Sequence, residues 1–322
     1  MKNTILYIVV PCYNEEEIIK DSVKILRNKL KQLKEEEIIN SESKILFVND
    51  GSRDKTKYIL IDICRANNDC LLINFVKNFG HQNSVLAGIN YSSECADAII
   101  SIDADLQQDI NAIEDFVKLY DQGNDIVYGV RNNRKTDGLF KRFSALLFYK
   151  IMQILGCNII TNSADYRLMS QKAAQTLEQY TETNIFLRGL ILFMGFQSDI
   201  VYFDVKEREK GKSKYTVSKM ISLAIDGITS FSVRPIRFIT LLGLIICMLS
   251  IGMITYSIVT YLQGGIVPGY TTNVVSTWFM GGLLMFSIGI IGEYIGKIYI
   301  ETKKRPRYII ESAILNKETE EK

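Results

Sequence analysis

Residues 98–109 read AIISIDADLQQD: an apolar run gives way to two carboxylates, Asp103 and Asp105, with Gln107 close behind. Paired acids at the end of a buried strand repel one another and lose hydration unless a positive charge sits with them. The stretch therefore predicts a strand that delivers a cation site to the edge of a sheet. Working outward, the pattern repeats. ILYIVVP (5–11) is followed by Tyr13, Asn14 and Glu15, and KILFVNDGS (44–52) ends on Asn49, Asp50, Gly51 and Ser52. LLINFVKN (71–78) and DIVYGVR (125–131) read as two further strands.

Between them, EEEIIKDSVKILRNKLKQL (15–33) sets Ile18, Val23, Leu26, Leu30 and Leu33 at helical spacing, and SVLAGINYS (84–92) forms another helix. Continuous apolar strands with helices between them indicate an α/β fold, a Rossmann-like, mostly parallel sheet covered on both faces. The polar residues all follow strands. In such a sheet the carboxyl ends line one crevice, which is the usual ligand site.

With 322 residues the chain has room for a large core, and a net charge of +2 gives no reason to expect a nucleic-acid partner. The charge is unevenly spread: from Phe238 to Gly292 there is no Asp, Glu, Lys or Arg. A spanning helix needs about 20 apolar residues. Phe238 to Leu262 supplies one crossing, and Val275 to about Ile300 a second. QGGIVPGYTTN between them has the composition of a turn. Basic residues flank the hairpin on both outer sides, including Arg234, Arg237, Lys303, Lys304, Arg305 and Arg307, while the connector carries no charge. Basic loops stay cytoplasmic. The expectation is a multi-pass protein of the cell inner (plasma) membrane with a cytoplasmic domain over residues 1–215 and no signal segment before it. An amphipathic juxtamembrane helix over 216–235 lies on membrane lipid, the transmembrane hairpin covers 236–300, and a cytoplasmic tail covers 301–322, polar and loosely ordered from Ser312. Gly243, Gly252, Gly281, Gly282 and Gly289 permit close helix packing, compatible with a homo-oligomer.

The six cysteines form no C-x-x-C pair, which favours buried free thiols over a zinc site or a disulfide framework. His81, the single histidine, reads as a helix-cap or core residue and is assigned no chemistry. An EF-hand would need more oxygen ligands than the Asp103–Asp105 loop offers. A haloacid-type phosphatase would carry its Asp-x-Asp near the first strand. What remains is Mg²⁺ or Mn²⁺ held by one or two carboxylates and completed by a diphosphate, with a nucleotide-diphosphate sugar as the natural donor.

IVVPCYNEEE, FVNDGSRDKT, KNFGHQNSVLAGI, DADLQQD, SADYRL, FLRGLILFMGF and REKGKSKY occur in this order and are followed by two apolar helices. In this the chain resembles the family 2 glycosyltransferases that charge polyprenyl phosphate, in the bactoprenol glucosyltransferase and dolichol-phosphate mannosyltransferase branch. The resemblance implies a GT-A fold and inverting transfer of one hexose, from a donor such as UDP-glucose, to polyprenyl (undecaprenyl) phosphate. By the same resemblance Pro11, Tyr13, Asn14, Glu15, Asp50, Ser52, Lys77 and Ala104 contact the nucleotide sugar, and Asp103, Asp105 and Gln107 surround the metal. Asp165 matches the position of the family's proposed base, although an anionic lipid phosphate scarcely needs one and Asp165 could orient Arg167 or a sugar hydroxyl instead. Arg131, Arg188, Arg208, Lys212 and Lys214 are the candidates for gripping phosphates. Gln108-Asp109-Ile110 stands where relatives commonly carry Asp-Pro-Pro-Glu, which leaves the start of the next helix open. Two other readings stand beside this one: a processive polysaccharide synthase, and an inactive membrane scaffold that keeps the fold.

Overall fold

The computed structural model describes residues 3–132, 160, 162–183, 186–204, 232–263 and 269–315. Strands β1 (Leu6–Cys12), β2 (Lys44–Asn49), β3 (Cys70–Phe75), β4 (Ala98–Ser101) and β5 (Ile126–Arg131) fall where the apolar runs predict them. Helices α1 (Ile19–Glu35) and α3 (His81–Ser92) also match, with Ile19 rather than Ile18 opening the buried face of α1, and α2 (Thr56–Ala66) joins β2 to β3. The open question after Asp109 resolves as a 3-10 turn, Ile110–Ala112, leading into α4 (Ile113–Asp121). Asp109 caps the turn by accepting the Asn111 N–H at 3.1 Å. The chain continues through β6 (Ser163–Ser170), α5 (Gln171–Glu178), α6 (Leu187–Phe193), β7 (Ser198–Phe203), α7 (Arg234–Leu262), α8 (Tyr270–Thr302) and β8 (Ile310–Ile314).

The strands form one sheet in the order β7-β5-β6-β4-β1-β2-β3-β8. The pairs β1–β2, β1–β4, β2–β3 and β5–β7 are parallel. Two strands depart from the parallel plan: β6 runs antiparallel to both β4 and β5, and β8 runs antiparallel to β3. Alternate residues of β1 serve the two faces. Leu6, Ile8 and Val10 pack with Leu26, Leu30 and Leu33 of α1 and Phe116 of α4, while Tyr7 and Val9 pack with Val85, Leu86 and Ile89 of α3. Burying each such aliphatic side chain contributes about 1.5–3 kcal/mol, so the central strand is anchored from both sides and its carboxyl end is held still. Cys12, Cys64 and Cys70 are free and buried as expected, whereas Cys95 is exposed.

The tail does not behave as its polarity suggests. Residues 310–314 are an edge strand of the main sheet, so this part of the tail belongs to the sheet-bearing domain. The reason lies in the partners: Ser312 Oγ accepts from Asn74 Nδ2 at 3.1 Å, Glu311 pairs with Lys57 at 2.8 Å, and Tyr308 stacks on Phe75 at 5.1 Å between centroids. The outer edge of β3 is thereby covered, and an uncovered edge invites pairing with other chains.

α7 and α8 carry segments long and apolar enough to cross a membrane, Arg234–Met253 and Phe279–Thr302, with mean hydropathies of 2.2 and 1.5. Their apolar side chains face outward, Phe238, Leu249 and Met285 among them, as suits a lipid surrounding rather than a protein core. Tyr294 of α8 donates to the Ser232 carbonyl at 2.6 Å, tying it to the residues that precede α7. A Cβ added at Gly243, Gly252, Gly281, Gly282 or Gly289 would meet nothing within 4 Å, so these glycines do not mediate the contact between the two helices of one chain. The amphipathic segment expected over 216–235 falls outside the described residues up to position 231.

Helix α3 lies unusually close to the sheet. A Cβ on Gly88 would sit 2.2 Å from Val9 Cγ1 and 3.2 Å from Val48 Cγ2, both on stiff β-branched side chains. Gly88→Ala should therefore destabilise the domain by about 1–3 kcal/mol. A thermal melt of the detergent-solubilised full chain should register this as a fall of about 2–4 °C or more.

Candidate active site

The loops after β1 and β2 interlock at the carboxyl end of the sheet. Asn14, left-handed at φ 53°, donates its N–H to Ser52 Oγ at 3.0 Å and accepts the Arg53 N–H at 2.9 Å. The Glu15 N–H donates to Thr56 Oγ1 at 2.9 Å. Beneath them a buried amide chain runs across the sheet: Asn49 Nδ2 donates to Asn74 Oδ1 at 3.0 Å, and Asn74 Nδ2 to Ser312. Asp50 is buried and accepts the Phe79 and Gly80 N–H groups at 2.7 and 3.0 Å. Burial raises its pKa and these donors oppose the rise. Asp50 thus clamps the loop that leads into α3. Gly51 makes this approach sterically feasible: its φ is +60°, and a Cβ there would lie 2.3 Å from the Lys77 carbonyl carbon.

Among the residues expected to hold a nucleotide sugar, Tyr13 and Glu15 are half-buried and Asn14 and Lys77 exposed at this rim, while Pro11 and Ala104 are buried. Lys77 Nζ rests 5.2 Å above the Phe79 ring.

The acidic part of the site follows from strand register. In the β4–β6 ladder Ser101 stands opposite Arg167, and Ser101 Oγ donates to the Asp165 carbonyl at 2.9 Å. Continuing that antiparallel register by two residues sets Asp103 across from Asp165. The side chains converge accordingly, with His81 Nε2 3.7 Å from Asp103 Oδ1 and 3.7 Å from Asp165 Oδ2. Asp105 begins a tight turn, accepting the Gln107 N–H at 3.3 Å, and Leu106 is left-handed at φ 47°. A non-glycine residue held there stores strain of the kind found at functional sites.

Asp165 is the centre of an ion-pair cluster. It accepts from Arg167 Nη2 at 2.5 Å and from Arg188 Nε and Nη2 at 3.0 and 2.9 Å. Burial works to raise its pKa, but the Arg188 and Arg167 guanidiniums outweigh it and hold Asp165 far below the usual carboxylate range. Such a group stays ionised yet has little affinity for a proton. Asp103 is the opposite case: burial raises its pKa, the charges of Asp165 and Asp105 add to the rise, and His81 and Gln108 oppose it. A cation beside Asp103 would relieve that penalty.

Among the described residues no group of three or more His, Cys, Asp or Glu side chains is disposed to hold a metal. A site of two acids completed by substrate oxygens suits Mg²⁺ or Mn²⁺, and the half-exposed Asp103 and Asp105 fit it. Gln107 touches Asp105 through its backbone N–H. The amide that touches Asp103 is Gln108, whose Nε2 donates to Oδ2 at 2.5 Å. Arg131 is exposed at the end of β5, its N–H donating to the Asn162 carbonyl, and Arg208, Lys212 and Lys214 lie outside the described residues. Sequence reasoning passed over His81 and Gln108. Their signals were a histidine directly after Gly80 at a strand-to-helix turn, and the departure from the Asp-Pro-Pro-Glu pattern.

Comparison with known proteins gives the family. Residues 7–178 match the family described as glycosyl transferase family 2, and residues 234–298 match the GtrB C-terminal hairpin. An uncharacterized glycosyltransferase, YkoT of Bacillus subtilis, is 46% identical over 98% of this chain and 93% of its own length. A prophage bactoprenol glucosyl transferase homolog of Escherichia coli K12 is 38% identical over 94% of this chain and 97% of its own. The bactoprenol glucosyl transferase of Shigella phage SfX is also 38% identical, over 95% of this chain and 98% of its own. Among solved structures, the Pyrobaculum calidifontis mannosyltransferase PcManGT covers 95% of this chain and 89% of its own at 12% identity and a TM-score of 0.48. The mixed α/β sheet is of the GT-A type, and the chain belongs to glycosyltransferase family 2, in the branch that carries a GtrB-type C-terminal hairpin.

Proposed function

We propose that the protein transfers one glucose from UDP-glucose, with inversion, to polyprenyl phosphate at the cytoplasmic face of the inner membrane. The observation that carries this reading is the meeting of a two-carboxylate metal locus, Asp103 and Asp105, with the Asp165–Arg167–Arg188 cluster on a domain joined to an outward-facing apolar hairpin. The relatives named bactoprenol glucosyl transferase supply the sugar and the lipid class.

The donor would rest on the Asn14–Ser52 rim with its diphosphate toward Asp103 and Asp105. A bound Mg²⁺ or Mn²⁺ would offset the charge gathering on the departing diphosphate. The acceptor phosphate loses its second proton at a pKa of about 6, so its oxygen is already a nucleophile and no protein base is required. In this reading Asp165 is a counter-ion. It fixes Arg188 in a bidentate pose and keeps the buried Arg167 tolerable, and the guanidiniums reduce repulsion between the incoming and departing phosphates. A single displacement at the anomeric carbon inverts its configuration. The lipid acceptor accounts for the hairpin, since its phosphate sits at the bilayer surface and the crevice must come to it.

Transfer of radiolabelled sugar into an organic-extractable lipid, assayed over a panel of UDP and GDP sugars, tests the reading. UDP-glucose should label polyprenyl phosphate and EDTA should abolish labelling. Asp105→Ala should reduce it by at least about 100-fold, the equivalent of about 2.7 kcal/mol of transition-state stabilisation. A panel in which no donor labels the lipid would reject it.

Asp165→Asn separates counter-ion from base. We expect a rate loss of about 100-fold with the acid limb of the pH–rate profile still near about pH 6, where the acceptor phosphate titrates. Disappearance of that limb in the variant would assign the proton transfer to Asp165 instead.

A further inference from the structure

The second membrane-spanning helix is fastened to the catalytic domain at its exit. In the last turn of α8, Glu301 accepts the Thr183 N–H on both carboxylate oxygens, at 2.8 and 2.9 Å. Just beyond the helix, Arg307 donates through Nη2 to the Tyr180 carbonyl. Further along the same segment the Leu187 N–H donates to Gln82 Oε1 at 2.8 Å, and Gln82 adjoins His81. The next residue is Arg188, which grips Asp165 through two nitrogens. The described part of residues 180–188 is therefore pegged at one end by the exit of the membrane helix and at the other by the catalytic crevice.

The chemistry of the pegs is informative. Both pair an ionised side chain with a backbone group, and such charge-assisted bonds are roughly twice as strong as neutral ones. Helix α6 itself is secured by Leu187, Leu190 and Ile191 in the core and does not need them to fold. What they hold is Tyr180 and Thr183, shortly before α6. The donor rim, by contrast, is built by Asn14, Asp50 and Ser52 from the loops after β1 and β2, none of which meets Glu301 or Arg307 in these bonds.

We propose that Glu301 and Arg307 are positioning residues for the lipid acceptor: they register Tyr180 and Thr183, ahead of α6, to the membrane exit, so that Arg188 stands where a lipid-borne phosphate arrives. The inference rests on the polyprenyl-phosphate reading and adds to it an asymmetry. Acceptor use depends on the membrane helix end, and donor binding does not.

The test uses the full chain in nanodiscs of phosphatidylethanolamine and phosphatidylglycerol loaded with polyprenyl phosphate, comparing wild type with Glu301→Ala, Glu301→Gln and Arg307→Ala. Glu301→Ala should raise the KM for polyprenyl phosphate about tenfold, the effect of losing one charge-assisted hydrogen bond. Calorimetric affinity for UDP should stay at the wild-type value, while the melting temperature falls by no more than about 2–4 °C. Glu301→Gln, which keeps one accepting oxygen, should recover most of the loss, and Arg307→Ala should behave as Glu301→Ala does. An unchanged acceptor KM in both alanine variants overturns the inference, as does a parallel loss of acceptor KM, UDP affinity and melting temperature, the mark of a plain tether. A wild-type chain that labels no polyprenyl phosphate overturns the functional reading and this inference with it. A wild type that labels it beside an equally competent Glu301→Ala overturns this inference alone.

Discussion

The antiparallel seating of β6 beside β4 is the constraint on which the crevice depends. The ladder pairs Ser101 with Arg167, and from that single register Asp165 comes to stand beside Asp103 with His81 between them. A slip of one residue would turn every β6 side chain to the opposite face and scatter the cluster. Arg167 is nearly fully buried, a position that few arginines occupy without a partner, and Asp165 two residues earlier on the same face supplies the partner. The charge arrangement and the strand register therefore stabilise each other. Arg188 then adds a second cation from a different element and leaves the cluster positive beside Asp103 and Asp105.

How much of this was legible depended on where each element finds its stabilising partners. β1 to β5 were readable because their residues are apolar almost without interruption, the signature of a strand buried on both faces. SADYRLMS and IESAI were not, since both mix charged or polar residues with apolar ones. Their stability comes from distant contacts: Arg167 with Asp165 and Arg188, Ser312 with Asn74, Glu311 with Lys57. Within the site, Asp103 and Asp105 announced themselves because two carboxylates one residue apart at a strand end need explanation. His81 did not, because a lone histidine opening a helix has an ordinary structural reading, and only the fold brings it beside Asp103 and Asp165. Gln108 was hidden by its neighbour: the motif draws attention to Gln107, yet the turn through left-handed Leu106 brings the next amide onto Asp103. Asp165 was visible only by resemblance, and its two guanidinium partners hold it far below the usual carboxylate range.

The hairpin was plain from the absence of charge between Phe238 and Gly292, but the course of the chain after it was not. By returning to cover the β3 edge, the chain makes the membrane hairpin an insertion in the catalytic domain rather than an appendage at its end. Two points of attachment restrict how the domain can tilt against the bilayer more than one would. The amide chain from Ser312 through Asn74 to Asn49 ties the returning chain to the end of β2, while Glu301 and Arg307 tie it to the residues ahead of α6.

The proposed chemistry requires donor, metal and guanidinium cluster to share the crevice formed at the β4–β6 register. The most direct measurement is an anomalous diffraction map of the full chain crystallised with UDP and Mn²⁺. The predicted result is a manganese peak bounded by Asp103, Asp105 and the diphosphate oxygens, with Arg188 still seated on Asp165 beside it. A manganese peak elsewhere, or a nucleotide bound away from the Asn14–Ser52 rim with both carboxylates free of metal, would contradict it.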